Sequence, residues 1–210
     1  MSPSTVNREM VLISGAFTVA RKEWGWVSVN PVSDVRKPTK PPPRDRRVSA
    51  SELDELIALA GTDLNNQTAR AIHAFRFAIE TGMRAGEIVG LEWSDVNLVK
   101  GVAQLHQTKN GSSRRVPMSP KAIELLKELP SRDGQCIQIS SQNLDTLFRK
   151  IRDNAKIVDL KFHDSRHEAI TRLAKKLDVL SLARVVGHKD IRMLQIYYNE
   201  TAEELAERLK

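Results

Sequence analysis

The sequence is poor in the residues that several kinds of chemistry require. It has one cysteine, Cys136, so an intrachain disulfide is excluded, which fits a reducing compartment. No acid–base partner lies near Cys136 in sequence, and it reads as an inert thiol rather than a nucleophile. The five histidines are scattered, without Cys-x-x-Cys or His-Glu-x-x-His spacing, so no metal site is expected. A Gly-x-x-x-x-Gly-Lys loop and a carboxylate cluster are also missing, and no cofactor is expected. The apolar stretch Met10 to Ala20 is interrupted by Ser14, Gly15 and Thr18 and followed by Arg21-Lys22-Glu23. It is neither a signal peptide nor the run of about 18 residues that spans a bilayer. A soluble, cytoplasmic protein with no membrane partner is the expectation.

What the chain does have is positive charge and helical patterning. Its 33 Lys and Arg outnumber 26 Asp and Glu, a net +7 that permits nucleic-acid binding without proving it. Residues 5–24 carry Val6, Met10, Ile13, Phe17, Ala20 and Trp24 at steps of three and four, an amphipathic helix whose stripe must be covered. Trp24, Trp26 and Val27 are expected to close that piece as core. Residues 1–35 thus read as the end of a helical domain. Residues 36–47 form a linker stiffened by Pro38, Pro41, Pro42 and Pro43. Its Lys37, Lys40, Arg44, Arg46 and Arg47 suit either a strap along a DNA backbone or simply a soluble connection.

Residues 48–210 read as the main domain, mainly α with a small antiparallel β-sheet (α+β). Ser49-Ala50-Ser51-Glu52 is a capping box, flanked by Val48 and Leu53 as a hydrophobic staple. A second helix covers about 68–81 and stops at Gly82 in a left-handed conformation. Residues 101–118 predict a hairpin turning at Asn110-Gly111, with Lys109 beside the turn and Arg114 and Arg115 adding charge for DNA on the return strand. Ser119-Pro120 begins another helix, and 143–153 forms the next. Ser165 and Glu168 have capping-box spacing, with Asp164 as a rival cap. Either choice puts Arg166 in a first helical turn, where free backbone N–H groups favour an anion. A helix over 179–186 stops at Gly187 and leaves His188 exposed. Asp190 can cap a short helix carrying Met193, Ile196 and Tyr197, and Thr201-Ala202-Glu203-Glu204 caps a final one.

Several of these residues together suit the attack of a nucleophile on a phosphodiester. Arg84 and Arg166 would clamp the nonbridging oxygens, because a guanidinium fork gives paired, charge-assisted bonds and stays charged. Glu87, three residues after Arg84, would orient it. His188 would donate a further hydrogen bond to the developing charge. A tyrosine can attack, store the bond as a phosphotyrosine and leave again. Its phenol ordinarily ionises near pH 10, so it needs a base or a positive field, and His163 is the candidate base. Lys109 is the candidate acid for the leaving 5′ oxygen.

The boxes Thr81-Gly82-Met83-Arg84-Ala85-Gly86-Glu87-Ile88, Thr108-Lys109-Asn110-Gly111, His163-Asp164-Ser165-Arg166-His167 and Gly187-His188-Lys189 resemble those of tyrosine recombinases of the phage integrase type, and the stretch from Met193 to Leu205 with its Thr-Ala-Glu-Glu run resembles phage or prophage integrases and shufflon-type recombinases. The resemblance covers roughly residues 48–200 and departs at Ser165, a place often taken by leucine. It implies Tyr197, nine residues after His188, as the nucleophile in preference to Tyr198. It further implies a mostly helical catalytic domain with a small sheet, double-stranded DNA with att-like or inverted-repeat core sites, a monomer without DNA and a synaptic tetramer on it, the C-terminal helix packing on a neighbouring subunit. Residues 1–35 would be the remnant of a longer core-binding domain. Type IB topoisomerase chemistry and an inactive DNA-binding remnant stay open as alternatives.

Overall fold

The computed structural model describes residues 1–39, 41–42, 44–106 and 113–198, together with 203, 206 and 207. It divides into two compact units, Met1–Asp45 and Arg46–Lys210. No described helix is long and apolar enough to cross a membrane.

In the first unit, helix α1 (Pro3–Lys22) is capped by Ser2, with Pro3 where its missing N–H costs nothing. The Asn30 amide donates to Ser14 O at 2.9 Å and Thr18 Oγ1 at 3.1 Å, folding the following turn back onto the helix. The expected apolar stripe is only partly covered. Ile13, Trp24 and Trp26 are exposed, and the two indoles lie against each other with centroids 4.5 Å apart. Exposed Trp24 and Trp26 therefore correct their assignment to a core.

The second unit opens with α2 (Ala50–Ala60). Its capping box is complete: Ser49 Oγ accepts from Glu52 N, and Glu52 accepts from Ser49 N. Helix α3 (Gln67–Thr81) is the central strut, buried along most of its length from Ala69 to Thr81. It ends at Gly82, whose φ of +65° is the left-handed conformation expected. The chain reverses there into α4 (Ala85–Val89), a 3₁₀ turn (Trp93–Asp95), and strands β1 (Val96–Asn97), β2 (Val102–Leu105) and β3 (Arg114–Pro117). The strands form an antiparallel sheet in the order β1-β2-β3, with Leu105 opposite Arg114. The two-residue β1 is too short for any alternation to announce it. Helices α5 (Pro120–Lys127) and α6 (Ser141–Asn154) follow, then α7 (Asp164–Ala174), α8 (Val179–Val186) and a 3₁₀ helix (Ile191–Tyr197).

Two apolar clusters result. The larger contains Phe75, Phe148 and Phe162, whose rings meet at 4.7 and 5.5 Å. Each such pair adds about 0.5–1.5 kcal/mol beyond burial and pins the chain immediately before His163. The smaller gathers Ile170, Leu182, Ala183, Val186 and Leu194, with the rings of Tyr197 and Tyr198 packed on it. In the 3₁₀ helix Leu194 is the buried residue, while Met193 and Ile196 are exposed.

Candidate active site

Arg84 occupies the N-cap of α4, directly after the Gly82 reversal. Glu87, one turn on, reaches back: Oε2 accepts from Arg84 N at 2.8 Å and Oε1 from Arg84 Nη1 at 2.9 Å. From the sheet, Arg114 donates through Nη1 to Oε1 at 2.8 Å and Nη2 to Oε2 at 2.7 Å. The Glu87 side chain is only 6% exposed, so this is no solvated surface pair. Burial raises its pKa, but the bonds from Arg114 and Arg84 overrule burial and hold it at about 2.

Arg114 departs from the role expected of it. Its side chain is 8% exposed and its Nε donates to Val185 O at 3.1 Å. It is thus a strut joining β3, α4 and the end of α8, whereas Arg115 next to it is exposed. The cause is packing: β3 runs alongside α8, so its arginine meets a carboxylate from α4 before it can meet solvent.

Arg166, on α7, is buried. Its Nη1 donates to Gly82 O and its Nη2 to Val186 O at 2.6 Å, which fixes the plane of the fork between the end of α3 and the end of α8. Burial, then the charge of Arg84, lowers its pKa to about 10, still protonated at neutral pH. The expected supply of free N–H groups at the start of α7 is not there. Asp164, Ser165 and Arg166 donate to the carbonyls of Lys161, Phe162 and His163 in a tight turn. Nor do Ser165 and Glu168 form a capping box: the position before the helix is His163, Ser165 Oγ donates to Phe162 O, and Glu168 binds arginines.

His163 is solvent-accessible, yet the protein atoms crowded around it, followed by the charge of Arg166, lower its pKa. His188 follows Gly187, whose φ is +69°. Rather than exposed, His188 is half-buried. Burial, then Arg166 and Arg84, takes its pKa to about 4, so the ring is neutral and can still donate one N–H.

The two phenols are handled differently. The Tyr197 hydroxyl lies 2.9 Å from His167 Nδ1, the rings 5.1 Å apart at their centroids. Burial raises its pKa and Arg166 draws it back. Tyr198 instead donates to Leu177 O at 2.6 Å. Arg84, Glu87, Arg114 and Tyr197 lie within electrostatic reach of Arg166, and Arg84, Arg114, Arg166 and His163 within that of His188. A cavity of roughly 480 Å³, lined in part by Phe148, Arg152, Phe162, His163 and Arg166, opens at this cluster. Among the described residues no group of three or more His, Cys, Asp or Glu could hold a metal ion. Burial pushes the Cys136 thiol up to about 12, away from nucleophilic use.

Lys109, its turn at Asn110-Gly111, Lys40 and the Thr201-Ala202 start of the last cap lie outside the described residues. Lys37 and Arg44 are exposed. Arg46 and Arg47 of the expected strap each pair with a carboxylate. Arg46 pairs with Glu52. Arg47 grips Glu168 at 2.6 and 3.1 Å, beside Arg172 at 2.7 Å. The Glu168 side chain is 4% exposed, and these arginines outweigh the upward push of burial, bringing its pKa to about 2. Sequence reading named His167 within its motif without a role. No local signal could have supplied one, because Tyr197 lies 30 residues away.

The chain is similar to a Haemophilus influenzae protein named as an integrase/recombinase, 41% identical over 211 residues, covering 98% of this chain and 69% of that protein. It is also similar to the shufflon-specific DNA recombinase of Escherichia coli, 37% identical over 209 residues, covering 98% of this chain but only 53% of that one. The chain thus spans little more than half the length of the second relative. Among solved structures, a lambda integrase tetramer bound to a Holliday junction matches with a TM-score of 0.71 and 22% identity, over 90% of this chain and 57% of that one, which shows a shared fold. The model of the phage integrase family matches residues 46–204, well over half of the sequence. On that match and on the identity to its relatives, the chain belongs to the phage integrase family of tyrosine recombinases.

Proposed function

We propose that the protein is a site-specific DNA recombinase that cleaves and rejoins strands through a 3′-phosphotyrosyl intermediate on Tyr197. The observation that carries this reading is the placing of the Tyr197 hydroxyl in the field of Arg166 while the Tyr198 phenol is tied to a backbone carbonyl. Arg84 and Arg166 bind the nonbridging oxygens, oriented by Glu87 and by two carbonyls respectively. His188, neutral, donates one hydrogen bond as negative charge builds on the phosphoryl group. The Tyr197 oxygen bonds to phosphorus as the bond to the 5′ oxygen breaks. Lys109 protonates that oxygen, and a histidine receives the phenol proton. Rejoining runs the same steps backwards with a 5′ hydroxyl as nucleophile.

Double-stranded DNA with inverted-repeat core sites is the substrate, and exchange takes place in a tetramer on paired sites, with a monomer in its absence. The lambda integrase tetramer bound to a Holliday junction, a protein of the same fold, supports the tetramer. Residues 1–35 act as part of a core-binding domain, and Lys37, Lys40, Arg44 and Arg115 supply charge toward phosphates.

Covalent trapping tests the reading. The protein is incubated with nicked duplexes carrying a randomised core, and adducts are resolved on a denaturing gel. Wild type should give an adduct that Tyr197→Phe abolishes and Tyr198→Phe retains. No adduct from wild type, or loss in Tyr198→Phe alone, overturns the assignment.

A further inference from the structure

The attacking oxygen has a hydrogen-bond partner in the structure, and it is not the histidine that family resemblance nominates. His167 Nδ1 lies 2.9 Å from Tyr197 Oη. The rings pack at 5.1 Å and 48°, so the contact is held by ring packing as well as by one hydrogen bond. Helix α7 places His163 and His167 four residues apart, on one face and to either side of Arg166. The backbone around His167 is committed: its carbonyl accepts from Thr171 Oγ1 at 2.9 Å, and the two flanking side chains, Arg166 and Glu168, are buried and paired. The imidazole is therefore presented from a rigid turn to a phenol whose ring is packed into the smaller apolar cluster.

Resting on the recombinase reading above, we propose that His167 is a catalytic residue, the acceptor of the Tyr197 proton during cleavage and its donor during rejoining. In the Nε2–H tautomer Nδ1 carries the lone pair that faces the hydroxyl. As Oη bonds to phosphorus its proton moves to Nδ1, giving an imidazolium. The bond from phosphorus to the 5′ oxygen breaks, and that oxygen takes its proton from the acid already assigned. On rejoining, the imidazolium returns the proton to the departing phenolate, so no oxidant, metal or further reactant enters. His163, whose proton affinity is lowered first by its surroundings and then by Arg166, is left to hydrogen-bond the phosphoryl group. The charged or titrating groups that act on the pair are Arg166, on Tyr197, and His163, on His167, while Arg84, Glu87, Arg114 and His188 stand around Arg166 and His163.

The test compares wild type, His167→Ala and His167→Gln in single-turnover trapping, on a nicked duplex first isolated by covalent capture with wild-type protein. Gel shift on the same duplex and thermal unfolding establish that each variant binds and folds. Glutamine can keep a hydrogen bond to the hydroxyl but cannot take up its proton. Both variants should be slower at pH 7 by about 10²-fold or more. Both should recover about tenfold per pH unit on the alkaline side, as hydroxide replaces the missing base, where wild type stays nearly level. If His167→Gln cleaves at the wild-type rate, the residue only positions the phenol and the proposal falls. A loss in both variants that is the same at every pH overturns it likewise. Capture of no adduct by wild type sinks the recombinase reading and this proposal together, whereas an adduct lost in Tyr197→Phe with His167→Ala unaffected sinks this one alone.

Discussion

At the scale of single residues, Glu87 shows most clearly what burial does to a charge. It holds two arginines whose like charges would otherwise repel, in a place where a carboxylate left unpaired would itself be costly. Glu87→Gln should lower the unfolding free energy in urea by about 3 kcal/mol and slow covalent trapping by at least about tenfold, because neither arginine keeps its aim. Arg114→Lys should give much of the same loss, since a point charge cannot reproduce two parallel bonds to one carboxylate and a third to Val185 O. Unchanged stability in both variants would mean that the pair contributes no more than a surface ion pair. The sequence made the Arg84–Glu87 spacing legible but not the second arginine, which comes from a strand 27 residues further on.

At the scale of elements, two glycines do similar local work and differ in what they touch. Gly82 and Gly187 both end helices at positive φ, so an alanine at either position costs about 1–2 kcal/mol from the backbone alone. A Cβ at Gly82 would meet Val186 and Ala169 at 3.5 and 3.6 Å, ordinary contact. A Cβ at Gly187 would stand 3.0 Å from Arg114 Cδ and Nη1. Gly187→Ala should therefore destabilise more than Gly82→Ala in urea, and it should also slow trapping by displacing the arginine strut. Equal effects in both assays would show that Arg114 yields without consequence. Both helix stops could be read in the sequence from a glycine following an apolar run. That one of them is roofed by an arginine could not.

At the scale of the whole molecule, buried charge sets the response to acid. Glu87 and Glu168, ordinarily near 4.5, are both held at about 2. Below about pH 5 the unfolded chain takes up protons that the fold refuses, so the stability they contribute is present above that pH and lost as pH falls toward 2. Each contributes about 3 kcal/mol by this measure. The buried His73, whose pKa burial lowers, adds to the same trend, its share present above its ordinary 6.5 and lost as pH falls. Urea midpoints between pH 7 and pH 3 should drop steadily in wild type and far less in the double variant Glu87→Gln, Glu168→Gln, which starts lower. The Arg47–Glu168 pair also alters what the basic stretch before α2 does. Arg47→Ala should cost stability while leaving the salt dependence of DNA binding unchanged, because its charge is already paired with the buried Glu168 carboxylate. A shallower slope of affinity against salt would restore Arg47 to the strap.

Within the catalytic unit most helix ends were legible in the sequence, because caps, left-handed glycines and apolar periodicity act over a few residues, and the start of α7 was the exception. Ser49 with Glu52, Gly82, Ser119-Pro120 and Gly187 each state a boundary through bonds to their own neighbours. The four motif boxes likewise determined the family, since each lies within a short run of sequence. Only the tertiary structure decided which charges and donors meet. Arg166 spans 84 residues to Gly82 O, Arg47 spans 121 to Glu168, and Tyr197 spans 30 to His167. It is the packing of α7 against α3 and of β3 beside α8 that brings such groups within hydrogen-bond distance. No local propensity records a partner so far along the chain.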